Sequence, residues 1–451
     1  MTKKQPAPTR PPRQRAFLVA VEIKGQPGIL SIEDSLDELA LLADTAGLDV
    51  VGQTYQRMDH INPGTYIGSG KVTEIIALAE ETLTDVVIFD NELSPTHQRE
   101  LENKLGLNVQ LLDRTALILD IFAQHAQTRE GCVQVELAQY EYRLPRLTRA
   151  WTHLARQAGG GGGRTGTVGG VGLRGPGETQ LEVDRREISK RISHLKNELD
   201  KVRAHRDRYR GQRKRSQIPI VALVGYTNSG KSTLLNRLTH SKVYVANQLF
   251  ATLDPTTRRV RLPGGNTVLL TDTVGFIQKL PTQLVASFRA TLEEISEADL
   301  LVHVVDITHA NALVQWESVQ QTLKDIKADH IPVVTVFNKI DQLDDLAFGE
   351  ETVRSLPNSV MISAITGSGL PELIQMMEKV LFEQFEPVIV RLPFQQGQLI
   401  SLFHELGQVK RIEQERIGVT IHGNLPGRLL AQFQPYLFNP ADEPETEEDL
   451  D

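Results

Sequence analysis

Gly225, Tyr226, Thr227, Asn228, Ser229, Gly230, Lys231 and Ser232 spell G-x-x-x-x-G-K-S directly after the apolar run 218–224, where a strand should hand over to a helix. In that setting the glycines let backbone N–H groups face phosphates, Lys231 brings an ammonium to the β- and γ-phosphates, and the positive end of the helix points at them. Ser232 is placed to ligate Mg2+. Asp272, Thr273, Val274 and Gly275 form D-x-x-G after the strand 268–270, so a carboxylate at the strand end reaches the metal's water shell and the Gly275 N–H reaches a γ-phosphate. Asn338, Lys339, Ile340 and Asp341 follow the strand 333–337; the two oxygens of Asp341 accept from guanine N1–H and the N2 amino group, which adenine does not present. At roughly 1.5–3 kcal/mol per hydrogen bond to a charged group, GTP is favoured over ATP by on the order of 10²–10⁴. Ser363, Ala364 and Ile365, after the strand 359–362, cover the base from the far side through their backbone.

Between the first two segments, Phe250, Ala251, Thr252, Leu253 and Asp254 end at a proline and resemble the first switch segment of translation-associated GTPases. Thr252 then joins Ser232 and Asp272 as a metal ligand, and Lys231, Thr252 and Gly275 carry the catalysis. Small signalling GTPases place a glutamine after the glycine of D-x-x-G to orient the attacking water. Phe276 and Ile277 stand there instead, which predicts slow intrinsic hydrolysis that a partner accelerates. Asn228 matches the P-loop asparagine of GTPases that take a potassium ion as an additional positive charge. Gly68-Ser69-Gly70-Lys71 imitates a second P-loop, but Thr65 stands where the first glycine should be and Val72 replaces Ser or Thr, so it reads as a helix-start loop. The twelve histidines show no metal-ligand spacing, and His303 and His309 read as structural.

Those loops need a scaffold, and the chain of 451 residues is long enough for two to four domains. Its 40% hydrophobic and 24% charged content is that of a soluble globular protein. A net charge of −8 argues against a surface coated for nucleic acid and leaves room for a local basic patch. The single cysteine, Cys132, excludes an internal disulfide or a zinc cluster and fits a reducing compartment; its ordinary reading is a small buried apolar side chain. No run approaches the roughly 20 apolar residues of a membrane helix, so a cytoplasmic protein without a membrane span is expected.

Residues 1–15 read as a disordered basic N-terminus. Across 16–126, β-branched runs (17–22, 49–55, 85–89, 108–112) alternate with amphipathic stretches, one of them opening at Ser35-x-x-Glu38, which predicts a small α/β domain with a parallel sheet. Residues 127–216 read as an antiparallel helical hairpin. Val133, Leu137, Tyr140, Leu144, Leu147, Trp151 and Leu154 form one heptad seam, and Leu181, Ile188, Ile192, Leu195, Leu199 and Val202 the other, with a glycine-rich tip loop (158–180) between them. Pro145 should kink the first helix. From 185 to 215 there are thirteen Lys/Arg against four Asp/Glu, a polyanion signal in a chain that is acidic overall. Residues 217–386 form the P-loop GTPase domain, a parallel sheet with helices on both faces. A small α+β domain (387–438) and an acidic tail (439–451) follow.

Further marks lie outside the nucleotide motifs: Tyr66-Ile67-Gly68-Ser69-Gly70-Lys71, Leu144-Pro145-Arg146-Leu147, Trp151-Thr152-His153-Leu154, and Gly172-Leu173-Arg174-Gly175-Pro176-Gly177-Glu178-Thr179-Gln180-Leu181-Glu182. On these the chain, from Phe17 to the end of the GTPase domain, resembles the HflX-type ribosome-associated GTPases. The resemblance implies a cytosolic protein, monomeric when free, that binds GTP/GDP and Mg2+ and associates with the large ribosomal subunit in ribosome splitting, rescue or biogenesis. The N-terminal region and basic hairpin would then meet rRNA in a salt-sensitive way. The stretch 159–170 departs from the pattern, being longer and richer in glycine than the family's tip loop. The rival reading is a signalling switch whose N-terminal region binds a protein effector.

Overall fold

The computed structural model describes residues 13–25, 30–147, 180–216, 218–239, 249–263, 265–279, 294–343, 356–382, 385–414 and 418–438. The seam positions Trp151 and Leu154, nearly all of the glycine-rich tip, the extreme N-terminus and the acidic tail lie outside them.

The first unit alternates strands and helices: β1 (Arg15–Ile23), α1 (Ile32–Thr45), β2 (Asp49–Met58), α2 (Ser69–Glu81), β3 (Val86–Phe89), α3 (Pro95–Leu105), β4 (Gln110–Asp113) and α4 (Arg114–His125). Its four strands pair in parallel in the order β2-β1-β3-β4. The central β1 and β3 are continuous apolar runs because helices cover both their faces. Side chains start three of the helices: Ser31, Ser94 and Asp113 accept from Asp34, His97 and Ala116 N–H. The capping pair expected at Ser35-x-x-Glu38 is absent. α1 begins one turn earlier, on Ser31, and both residues are buried in its interior.

α5 (Arg129–Arg143) and α6 (Gln180–Ser216) form a hairpin. Val133, Leu137, Ile192, Leu195 and Leu199 are buried together, with Tyr140, Leu144 and Ile188 against them. Arg129 pairs with Glu198 and Glu136 with Arg191, in opposite chain order, as antiparallel helices require. At Pro145 the α-helix gives way to a single 3-10 turn, Leu144–Arg146. Cys132 is exposed rather than buried, because it lies off the seam on the first turn of α5.

The third unit runs β5 (Ile220–Gly225), α7 (Lys231–Thr239), β6 (Thr256–Arg261), β7 (Thr267–Asp272), β8 (Leu300–Asp306), α8 (Ala312–Asp325), β9 (Val333–Asn338), β10 (Ser359–Met361) and α9 (Leu370–Phe382). The six strands lie in the order β10-β9-β8-β5-β7-β6. All pairs are parallel except β6 with β7, an antiparallel edge on the expected parallel sheet. The last unit is a three-stranded antiparallel sheet, β11 (Phe385–Pro393), β12 (Gln408–Gln414) and β13 (Gly418–Pro426), with α10 (Gly397–Leu406) and α11 (Gly427–Phe433) packed around Phe403 and Phe433.

The first and third units share a core. Leu36, Leu39, Ile118 and Phe122 from α1 and α4 are buried in one cluster with Tyr226, Leu249, Phe250, Leu253, Val274, Phe276 and Ile277. No helix among the described residues is long and apolar enough to cross a membrane.

Candidate nucleotide site

β5 ends at Gly225 and α7 begins at Lys231, so the P-loop spans a strand-to-helix turn. Its geometry demands glycine twice, with φ of 148° at Gly225 and 97° at Gly230. A Cβ would also strike Val304 O at the first and Asn338 Nδ2 at the second. The cleft above this turn is lined by Thr227, Asn228, Gly230, Lys231, Ser232, Thr233, Phe250, Ala251, Thr252, Thr273 and Gly275.

Lys231 Nζ donates to Gly225 O (3.1 Å) and Tyr226 O (2.7 Å). Burial pushes its ammonium down to about 8, while the Asp272 carboxylate works against that shift. Ser232 Oγ lies 2.8 Å from Thr252 Oγ1 and 2.6 Å from Asp272 Oδ2, and Thr252 Oγ1 is 3.2 Å from the same oxygen. Burial raises the Asp272 carboxyl despite the opposing charge of Lys231, and its Oδ1 is buried without a partner among the described residues. Two hydroxyls and an under-satisfied carboxylate converging beside the P-loop are a hard oxygen set. That set fits Mg2+ better than a thiophilic or imidazole-loving metal.

Asn338 Nδ2 donates to Ser229 O (2.9 Å) and its Oδ1 accepts from Ala364 N–H (2.9 Å), so one side chain ties the P-loop to the last motif. Lys339 is left-handed (φ 71°), and its Nζ pairs with Asp306 Oδ2 at 2.5 Å. Asp341 sits exposed on the 3-10 turn Ile340–Gln342. Ser363 is fully buried with Oγ accepting from Thr366 N–H (3.0 Å), while Ile365 is exposed.

The side chains of four residues assigned to the nucleotide by sequence are used elsewhere. Tyr226, Leu253 and Val274 are buried in the core shared with α1 and α4. The Asp254 carboxylate turns away from the cleft and accepts from Gln127 N–H (2.9 Å), Thr128 N–H (2.8 Å) and the Thr128 hydroxyl. That hydroxyl accepts in turn from Gly131 N–H (3.0 Å), capping α5. A Cβ at position 131 would meet Asp254 Oδ1.

Sequence reasoning also missed a buried charge cluster beside the P-loop. Arg114 donates to Asp90 (2.5 Å) and Glu38 (2.7 Å), Lys279 pairs with Asp90, and the Tyr226 hydroxyl reaches both Glu38 oxygens (3.0 and 2.9 Å). No local spacing marks these partners, which come from five separate stretches of chain. The look-alike at Gly68–Lys71 does open a helix: Gly68 is the N-cap of α2, and Lys71 is engaged by Thr54 (2.6 Å) and Glu74 (2.7 Å). His303, in β8, is buried, and burial and then the charge of Lys231 push it down to about 3, so it stays neutral.

The family described as GTP-binding GTPase N-terminal matches residues 33–123, GTP-binding GTPase Middle Region matches 125–213, and 50S ribosome-binding GTPase matches 220–339. A protein named GTPase HflX from Caldanaerobacter subterraneus subsp. tengcongensis is 42% identical over 427 residues, covering 95% of this chain and 94% of the relative. Its namesake from Escherichia coli is 42% identical over 411 residues, 90% of this chain and 94% of that one. Among solved structures, SsGBP in complex with GDP aligns with 82% of this chain and 99% of its own at 25% identity, with a TM-score of 0.45.

Proposed function

The chain belongs to the HflX family of GTPases, binding and hydrolysing GTP, and from that premise we propose that it is a Mg2+-dependent factor of the large ribosomal subunit. It couples the GTP cycle to ribosome splitting, rescue or biogenesis in the cytoplasm and is monomeric when free. One observation carries the coupling: Asp254, two residues after the metal-site hydroxyl of Thr252, is bonded to the N-terminus of α5, the first helix of the hairpin. The other helix, α6, holds the basic excess that would meet rRNA phosphate.

In this reading the P-loop N–H groups and Lys231 hold the phosphates, and Asp341 takes the guanine edge while Asn338 braces the loop behind it. Ser232, Thr252 and Asp272 would hold Mg2+, which would supply neutralising charge to the phosphates. Gly275 N–H faces the γ-phosphate, and Asn228 completes a site for K+. Phe276 and Ile277 are buried in the inter-unit core and offer no polar group to an attacking water, so the free protein turns over slowly and the ribosome speeds it.

The test is GTP turnover with and without purified large subunits, beside co-sedimentation of wild type, Lys231→Ala and a variant with Arg185, Arg186 and Lys190 changed to Glu. Stimulation by subunits, with sedimentation lost in the charge-reversed variant at physiological salt, is expected. Unchanged sedimentation of that variant would favour a protein effector instead. Equal turnover in sodium and potassium buffers would remove the K+.

A further inference from the structure

The turn after D-x-x-G is held by main-chain and phenolic hydrogen bonds rather than by a side chain of its own. Phe276 N–H donates to Gly225 O (3.0 Å), Thr227 N–H donates to Phe276 O (2.8 Å), and Gln278 N–H donates to the Tyr226 hydroxyl (2.8 Å). The first two bonds lie within the nucleotide unit. The third is oriented by the first unit, because the Tyr226 hydroxyl that accepts from Gln278 N–H is itself held in place by donating to Glu38. Glu38 is fixed in turn by Arg114, itself buried and held by Asp90.

We propose that Tyr226 and Glu38 are positioning residues for GTP hydrolysis, holding the Gly275–Gln278 backbone over the P-loop through the relay Gln278 N–H to Tyr226 Oη–H to Glu38. The relay matters here because Phe276 and Ile277 cannot orient water, so the reaction relies on where the Gly275 and Phe276 main chain sits. Glu38 lies in α1, 188 residues from Tyr226, so the first unit contributes to the geometry of a reaction it does not touch. Tyr226→Phe and Glu38→Gln keep the P-loop main-chain N–H groups and Lys231 that hold the phosphates, so the relay acts on the rate more than on affinity. The inference rests on the reading that the phosphates sit over residues 225–232.

Single-turnover GTP hydrolysis, GTP and GDP affinities and the thermal midpoint are measured on full-length Tyr226→Phe, Glu38→Gln and the double variant. Misplacing a reacting group by a fraction of an ångström costs about tenfold or more, so each single variant should lose about that factor in rate with both affinities within about twofold. The double variant should fall no further than the lower single, because both cut one relay. A rate per folded molecule that is unchanged or higher, a rate loss matched by loss of GTP affinity, or effects that multiply would each overturn the proposal. A structural role alone would move only the thermal midpoint. Should one variant fail to fold, the other is judged by the same rate and affinity criteria. Lys231→Ala run alongside tests the phosphate placement separately: unaltered nucleotide affinity there sinks that reading whatever the relay variants do.

Discussion

Removing the Asp254 carboxylate should loosen the start of α5 by an amount the structure bounds. The carboxylate accepts from two main-chain N–H groups and from the Thr128 hydroxyl. Hydrogen bonds to a charged group are worth about 1.5–3 kcal/mol each, but these lie at the protein surface, where water re-solvates the freed amides. The net loss in Asp254→Ala is therefore set at about 1–2 kcal/mol for the whole set, a factor of about 5–30 in local opening. Amide hydrogen exchange reads this directly. Protection of the Gln127, Thr128 and Gly131 amides should drop by that factor, while the amides of β8 and β9 stay as they were. Gly131→Ala approaches the same contact from the other side, since its Cβ would displace Asp254 without altering the switch sequence. The same amides should lose protection in that variant. Unchanged protection at 127 and 128 in Asp254→Ala would refute the claim that the first switch segment is fastened to the hairpin.

Further outcomes follow from individual contacts. Gly230→Ala places a Cβ on Asn338 Nδ2 at φ 97°, and GTP and GDP affinities should both fall by about tenfold or more, read by equilibrium titration. Chelating Mg2+, or making Asp272→Asn, should cut hydrolysis by about 10² or more while the preference for guanine over adenine survives, because Asp341 lies at the other end of the site. Arg114→Met leaves the carboxylates of Glu38 and Asp90 buried beside each other with only Lys279 as counter-charge. It should destabilise the first unit by about 3–5 kcal/mol, seen as an earlier first transition in urea.

The sequence displayed those parts of the site whose requirements are local. A P-loop needs glycine at fixed offsets because its backbone conformation does, and Gly225 and Gly230 announce that at once. The α5–α6 seam was equally legible: Val133, Leu137, Tyr140 and Leu144 repeat at the spacing that keeps one helix face turned to a partner. Ser35 and Glu38 show where local reading fails. Their spacing imitates a helix cap, yet Ser35 bonds Asp90 (2.8 Å) and Glu38 bonds Arg114 and Tyr226, partners 55 to 188 residues away. Asp254 failed for a related reason. Its neighbours Phe250, Ala251 and Thr252 line the cleft, and nothing in the run shows that its carboxylate turns to the opposite side.

The packing behind the switch segments limits how they can respond to nucleotide. Leu249, Phe250 and Leu253 around Thr252, and Val274, Phe276 and Ile277 after Asp272, are all buried in the core they share with α1 and α4, and Phe250 meets Phe122 edge-on at 4.7 Å. Burying such side chains is worth about 1.5–3 kcal/mol each, so peeling all of them off the first unit would cost on the order of 10 kcal/mol or more. Converting a two-state equilibrium from one side to the other takes a differential binding energy of about 5.5 kcal/mol, which a single ligand can supply. Peeling the segments into solvent therefore exceeds what that differential delivers, whereas moving them together with the surface they are packed on does not. Asp254 and Lys279 point the same way, since each ties a segment flanking the phosphate end of the cleft to the first unit or to the start of the hairpin. The proposed function then predicts that a change at the γ-phosphate displaces α1, α4 and α5 against the sheet β5–β10 rather than melting the loops themselves.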